Sequence, residues 1–170
     1  MWSRIKLVAM AAAFGLAAAV PLRAALHPGD VFPALASAGL TGGPLPATAD
    51  RVVLVDFWAS WCAPCKASFP AYARLQAAYA SRGLVIVAVS VDENPAAYAA
   101  FVKKMKPPFA TLLDHGQALV RAVRVPAMPT SYLVGQDGRV RFVHEGFHGA
   151  AQAEELRRQI ETLLAGKDGS

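Results

Sequence analysis

Two near-continuous apolar runs, residues 51–57 and 84–91, stand out along the chain, as expected of strands buried on both faces. Between them Phe69, Tyr72, Leu75 and Tyr79 recur at helical spacing, which predicts a helix over 62–81 with Gly83 just past its end. Pro70 inside that stretch lacks an N–H and crowds the carbonyl of Lys66, so a kink is expected there. Strand, helix and strand in this order imply a parallel pair joined by a right-handed crossover.

The pattern continues toward the C-terminus. Asp92-Glu93-Asn94-Pro95 opens a second helix, to about Met105, with the proline suited to its first turn. A short strand over 109–113 and a helix over 117–123 lead to a Met128-Pro129 turn, followed by an apolar strand over 131–134. Gln136-Asp137-Gly138-Arg139 has the composition of a tight hairpin turn, so residues 140–144 should return antiparallel. The last helix, 150–164, carries Leu156, Ile160, Leu163 and Leu164 on one stripe and is closed by Gly166. Residues 26–50 are rich in Gly, Pro, Ala and Thr and read as an extended entry segment, with a short strand around 36–40. The whole is an α/β pattern: a central mixed sheet with helices on both faces.

Composition changes the picture mainly at the N-terminus. A chain of 170 residues that is 55% hydrophobic can build one domain with its own core. Residues 1–25 differ from the rest: Arg4 and Lys6 precede an uncharged apolar run, 7–22, that ends near Arg23. This is the layout of a signal peptide or an N-terminal membrane anchor, and either implies an exported domain. Sixteen helical residues span only about 24 Å against a hydrocarbon core of roughly 30 Å. Without those three basic residues the chain holds 14 basic against 12 acidic side chains, which removes the case for a nucleic-acid partner.

The chemistry lies in the two cysteines, Cys62 and Cys65. They fall where a strand ends and a helix begins, so unpaired N–H groups and the helix dipole favour a thiolate. A spacing of three along a helix puts the Cα atoms about 5 Å apart, within the range a disulfide tolerates. Asp56, near the end of a buried strand, is costly unless protonated or partnered. Trp58 and Trp61 flank the pair, with Trp61 the better candidate for an apolar docking platform.

Asp56-Phe57-Trp58 followed by Trp61-Cys62-Ala63-Pro64-Cys65-Lys66, with Val125-Pro126-Ala127-Met128-Pro129-Thr130 downstream, resembles the thioredoxin superfamily. More narrowly it resembles the TlpA-like thioredoxins, exported or membrane-tethered proteins that include reductants of cytochrome c maturation. The likeness runs from about residue 28 to 166, with the thioredoxin-like domain proper at 51–166 and an extra helix-strand insert from about 95 to 114. It implies a thioredoxin-like fold and a protein thiol-disulfide oxidoreductase whose redox group is the Cys62-Cys65 disulfide, without a cofactor or metal. It implies catalytic roles for Cys62, Cys65 and Asp56, with Cys62 the exposed attacking thiolate. Trp61, Ala63, Pro64, Met128, Pro129 and Thr130 would form the partner-binding surface, with Pro129 cis against the disulfide. Partners would be protein dithiols and disulfides and a membrane electron donor, in a periplasmic or otherwise exported location, with residues 7–22 as a tether. One departure is visible: TlpA-like reductants often carry a glutamate three residues after the second cysteine, and this chain has Ser68.

Two other functions fit a lone CxxC. A copper or other metal carrier would use the thiolates as soft ligands, although His27, His115, His144 and His148 show no spacing that completes such a site. A peroxide-reducing redoxin is the third reading, and it usually lacks the tight CxxC. Lys66 stands where c-type haem attachment requires histidine.

Overall fold

The computed structural model describes residues 25–166. The leader expected over 1–25, with its tether at 7–22, lies outside the described residues but for Ala25. Among the described residues no helix is long and apolar enough to cross a membrane.

Five strands form one mixed sheet: β1 (Val52–Trp58), β2 (Leu84–Ser90), β3 (Ala110–Leu113), β4 (Thr130–Val134) and β5 (Val140–Glu145), in the order β3-β2-β1-β4-β5. β1 pairs in parallel with β2 and antiparallel with β4, so it is central and every one of its residues is buried. Four helices complete the thioredoxin-like α/β fold: α1 (Ala63–Tyr79), α2 (Pro95–Met105), α3 (Ala118–Val123) and α4 (Ala150–Leu164). The expected insert is present as α2 and β3, with β3 added in parallel at the edge of β2.

Alternation along β1 sorts its side chains between two faces. Asp56 and Trp58 face α1 and α2: the Asp56 carboxylate accepts from Tyr72, and the Trp58 ring lies 5.0 Å from Phe69 and 4.6 Å from Phe101. Phe57 faces the other way, 6.0 Å from Tyr132, which in turn lies 5.6 Å from Phe32 of the entry segment. α4 lies beside α1 with its Leu156 and Ile160 fully buried, and the Tyr79 hydroxyl donates to Glu161 at 2.6 Å.

Two local details differ from the sequence expectation: the strand at 36–40 and the last turn of the first long helix. The entry segment forms no strand at 36–40; Leu35–Ser37 is a turn of 3-10 helix. This segment joins the sheet instead by single bridges, Val31 to Arg139 and Thr41 to Leu113. α1 continues through Pro70 to Tyr79, then tightens into a 3-10 turn, Ala80–Arg82, that Gly83 ends at φ 108°, a conformation that favours glycine.

α3 starts at a residue with positive φ, Gln117, and its orphan N–H groups are met from outside the helix. The buried Asp114 carboxylate accepts from Ala118 N–H at 2.9 Å and Val120 N–H at 2.8 Å. Asp114→Ala strands both donors, so it should lower stability by about 1–3 kcal/mol. The check is the denaturant midpoint, which should fall with an unchanged slope; an unmoved midpoint would show that water replaces the cap freely.

Candidate active site

The C-terminal end of β1 delivers the chain into the turn that carries the cysteines. Cys62 N–H donates to the Ala59 carbonyl at 3.1 Å, closing that turn. Asp92, just past β2 and nearly fully buried, pins it: the carboxylate accepts from Ser60 N–H at 3.0 Å, Ser60 Oγ at 2.8 Å and Ser90 Oγ at 2.7 Å. The Val91 N–H meanwhile donates to the Trp58 carbonyl at 2.9 Å. Sequence reasoning missed Asp92, because its role depends on a residue 32 positions away.

Cys62 is the N-cap of α1 in extended conformation, and its Sγ accepts from Cys65 N–H at 3.2 Å. Pro64 lies in the first turn, where its missing N–H costs nothing. The Cys62–Cys65 disulfide is formed, with Cα atoms 5.3 Å apart, matching the helical estimate. The expectation of an exposed Cys62 needs correction: it is only 5% accessible and Cys65 is fully buried. The turn folds the sulfurs inward while the neighbouring Trp61 is 68% exposed and Ala63 and Pro64 also face solvent. Trp58, by contrast, is core.

The Met128-Pro129 bond is cis. Thr130, the next residue, pairs with Phe57, which places Pro129 at the same end of the sheet as the cysteine turn. The loop is fixed by Thr130 Oγ1 donating to the Ala127 carbonyl at 2.9 Å and by Gly146 N–H donating to the Pro129 carbonyl at 2.7 Å. Pro129 and Thr130 are buried, and Met128 is half-buried.

Asp56 is fully buried, and the Tyr72 hydroxyl donates to its Oδ1 at 2.9 Å. Among the described residues Oδ2 has no hydrogen-bond partner. Burial pushes the carboxyl up to about 8, with the Tyr72 hydrogen bond pulling the other way. Ser68, where TlpA-like reductants often place a glutamate, is also fully buried and donates to the Cys65 carbonyl at 2.8 Å. The sequence offered only a weak signal for Tyr72, which reads there as one more apolar-stripe residue.

Among the described residues no three His, Cys, Asp or Glu side chains gather as a metal site. His144 contacts Gln159 at 2.8 Å, and His27, His115 and His148 are exposed.

The raised Asp56 has a sign that can be worked out. From its ordinary value of 3.8 up to about 8, the folded chain keeps a proton that the unfolded chain has released. Stability should therefore fall as pH rises through that window and level off above it. Asp56→Asn in the oxidised protein should flatten this slope and raise stability near pH 8 by roughly several kcal/mol, with little gain near pH 4. Parallel stability-pH curves for the two proteins would contradict the assignment.

The Redoxin family profile matches residues 28–159. The thiol-disulfide oxidoreductase ResA of Bacillus thuringiensis is 32% identical over 108 residues, 64% of this chain and 62% of that protein. ResA of Bacillus subtilis is 36% identical over 88 residues, 52% of this chain and 49% of that protein. The chain thus spans less than two thirds of the length of these relatives. Among solved structures, a putative thiol:disulfide interchange protein DsbE from Chlorobium tepidum superposes with a TM-score of 0.74 at 33% identity, covering 82% of this chain and 99% of that one. StoA of Bacillus subtilis gives a TM-score of 0.57 at 26% identity, over 65% of this chain and 82% of that one. The disulfide at a helix start, the cis proline at the same sheet end and these matches together show that the chain belongs to the Redoxin family, in the TlpA-like branch of the thioredoxin superfamily.

Proposed function

We propose that this chain is an exported thiol-disulfide oxidoreductase that exchanges the Cys62–Cys65 disulfide with protein partners and works as a reductant. The observation that carries the reading is the disulfide itself, set at the N-terminus of α1 under a surface on which Trp61 is exposed. In the reduced chain, the helix N-terminus and the Cys65 N–H favour a thiolate at Cys62. Its Sγ attacks one sulfur of a partner disulfide, the partner's other sulfur leaves as a thiolate, and a mixed disulfide forms.

Cys65 then gives up its proton and its sulfur attacks Cys62 Sγ. The partner's second sulfur leaves, so two electrons have passed to the partner and the Cys62–Cys65 bond is closed. Asp56 is the base for the Cys65 proton in this reading: it is buried with Cys65, and a carboxyl raised toward thiol values exchanges protons with a thiol at little cost. Trp61, Ala63 and Pro64 would meet the partner together with half-buried Met128, whose backbone suits an extended partner segment, while Pro129 and Thr130 lie buried beneath that surface and shape it.

The basic and apolar pattern of residues 4–22 supports export, with a cleaved leader or a membrane tether as its two forms. A reductant in an oxidising compartment needs an electron supply, so the donor would be a membrane protein. Cytochrome c maturation is the process this reading favours, through the TlpA-like motif.

Cys62→Ser should abolish turnover of a protein disulfide, and Cys65→Ser should accumulate mixed disulfides visible on non-reducing gels. Full activity in either variant would reject the two-cysteine mechanism. Trp61→Ala should leave the denaturation midpoint nearly unchanged, because the ring is largely in water, and raise KM for a protein disulfide severalfold more than for a small-molecule disulfide. Equal effects on both substrates would remove Trp61 from the docking surface.

A further inference from the structure

Cys65, Ser68 and Tyr72 form one buried face of α1, at the i, i+3 and i+7 positions that stack along a helix. Ser68 is small and turns its hydroxyl back to the Cys65 carbonyl, 2.8 Å away. The tyrosine one turn later is held between Phe109 and Phe147, each ring centroid 6.3 Å from its own, and its hydroxyl reaches Asp56 Oδ1 at 2.9 Å. On the neighbouring strands Asp56 faces Ala88 and Ser131, neither charged. Burial and the Asp56 carboxyl hold the Tyr72 hydroxyl well above its ordinary value, so it stays protonated and serves as a donor. The carboxyl is thus tied at one oxygen and unpartnered at the other among the described residues.

We propose that Tyr72 is a positioning residue for the exchange reaction: its hydroxyl fixes Asp56 Oδ1 and leaves Oδ2 to take the Cys65 proton when the mixed disulfide is resolved. The inference rests on the Asp56 base proposed above. It gives the buried carboxyl a fixed orientation in a chain whose residue 68 is serine and supplies no carboxylate of its own. In the reverse direction the same Oδ2 proton returns to the Cys65 thiolate as the disulfide opens.

The test uses the reduced protein and 5,5′-dithiobis(2-nitrobenzoate), an aromatic disulfide that releases one coloured thiolate when Cys62 attacks and a second when Cys65 resolves the mixed disulfide. Tyr72→Phe keeps the ring and removes the hydroxyl. It should leave the first phase unchanged and move the pH midpoint of the second upward by about one unit, the effect of losing one hydrogen bond to a carboxylate. Asp56→Asn should remove that titration, and the double variant should match Asp56→Asn alone. A carbon-detected NMR titration of the Asp56 carboxyl in oxidised Tyr72→Phe provides a second reading without turnover, with the same upward shift expected. An unmoved midpoint in Tyr72→Phe, or additive losses in the double variant, would overturn the role of Tyr72 and leave Asp56 as the base. An unaltered second phase in Asp56→Asn would instead overturn the Asp56 reading and this inference with it.

Discussion

The end of β1 is the constraint on which the rest of the site depends. This strand is paired on both sides and buried on both faces, so the point where it stops is fixed within the densest part of the molecule. The Ser60-Trp61-Cys62 turn springs from that point and is clamped to the end of β2 by the Asp92 carboxylate. α1 therefore begins where the sheet dictates, with Cys62 as its N-cap and Cys65 within one turn. In the proposed exchange reaction the disulfide opens and closes on a frame that need not move with it.

The same strand carries a buried carboxyl on its face toward α1, the helix whose first turn holds Cys65. Asp56 and Trp58 share the face toward α1, so one wall of the site is aromatic and dry and the other holds an acid that burial keeps largely protonated at neutral pH. A side chain that cannot ionise but still accepts from Tyr72 would give a more stable core above neutral pH. Retaining the acid makes physical sense if its proton is used, and the fully buried Cys65 is the group with a proton to exchange. Function here stands in tension with stability at a single position.

Much of this was legible in the sequence because it is local. Continuous apolar runs marked β1 and β2, helical spacing marked α1 and α4, and the CxxC at a strand-helix junction gave a Cα separation that the structure matches at 5.3 Å. The paired motifs around Cys62 and Pro129 brought out the family. What escaped was set by packing between distant segments. Tyr72 reads as a core aromatic until β1 places Asp56 within reach of its hydroxyl. Asp92 and Asp114 look like loop acids, yet both are buried because they satisfy backbone N–H groups at turns and helix starts. The entry segment differs from its expected strand for a related reason: it joins the sheet by single bridges, which leave no alternating pattern to read. Cys62 was expected to be exposed, but accessibility depends on how the turn folds, which spacing does not encode.

Direction of electron flow is the core of the proposed function, and it is a property of one equilibrium. The most direct measurement is the reduction potential of the Cys62–Cys65 couple at neutral pH, by equilibration against glutathione or dithiothreitol buffers. A reductant requires a value well below about −200 mV, and one near about −120 mV would mark an oxidant and contradict the account.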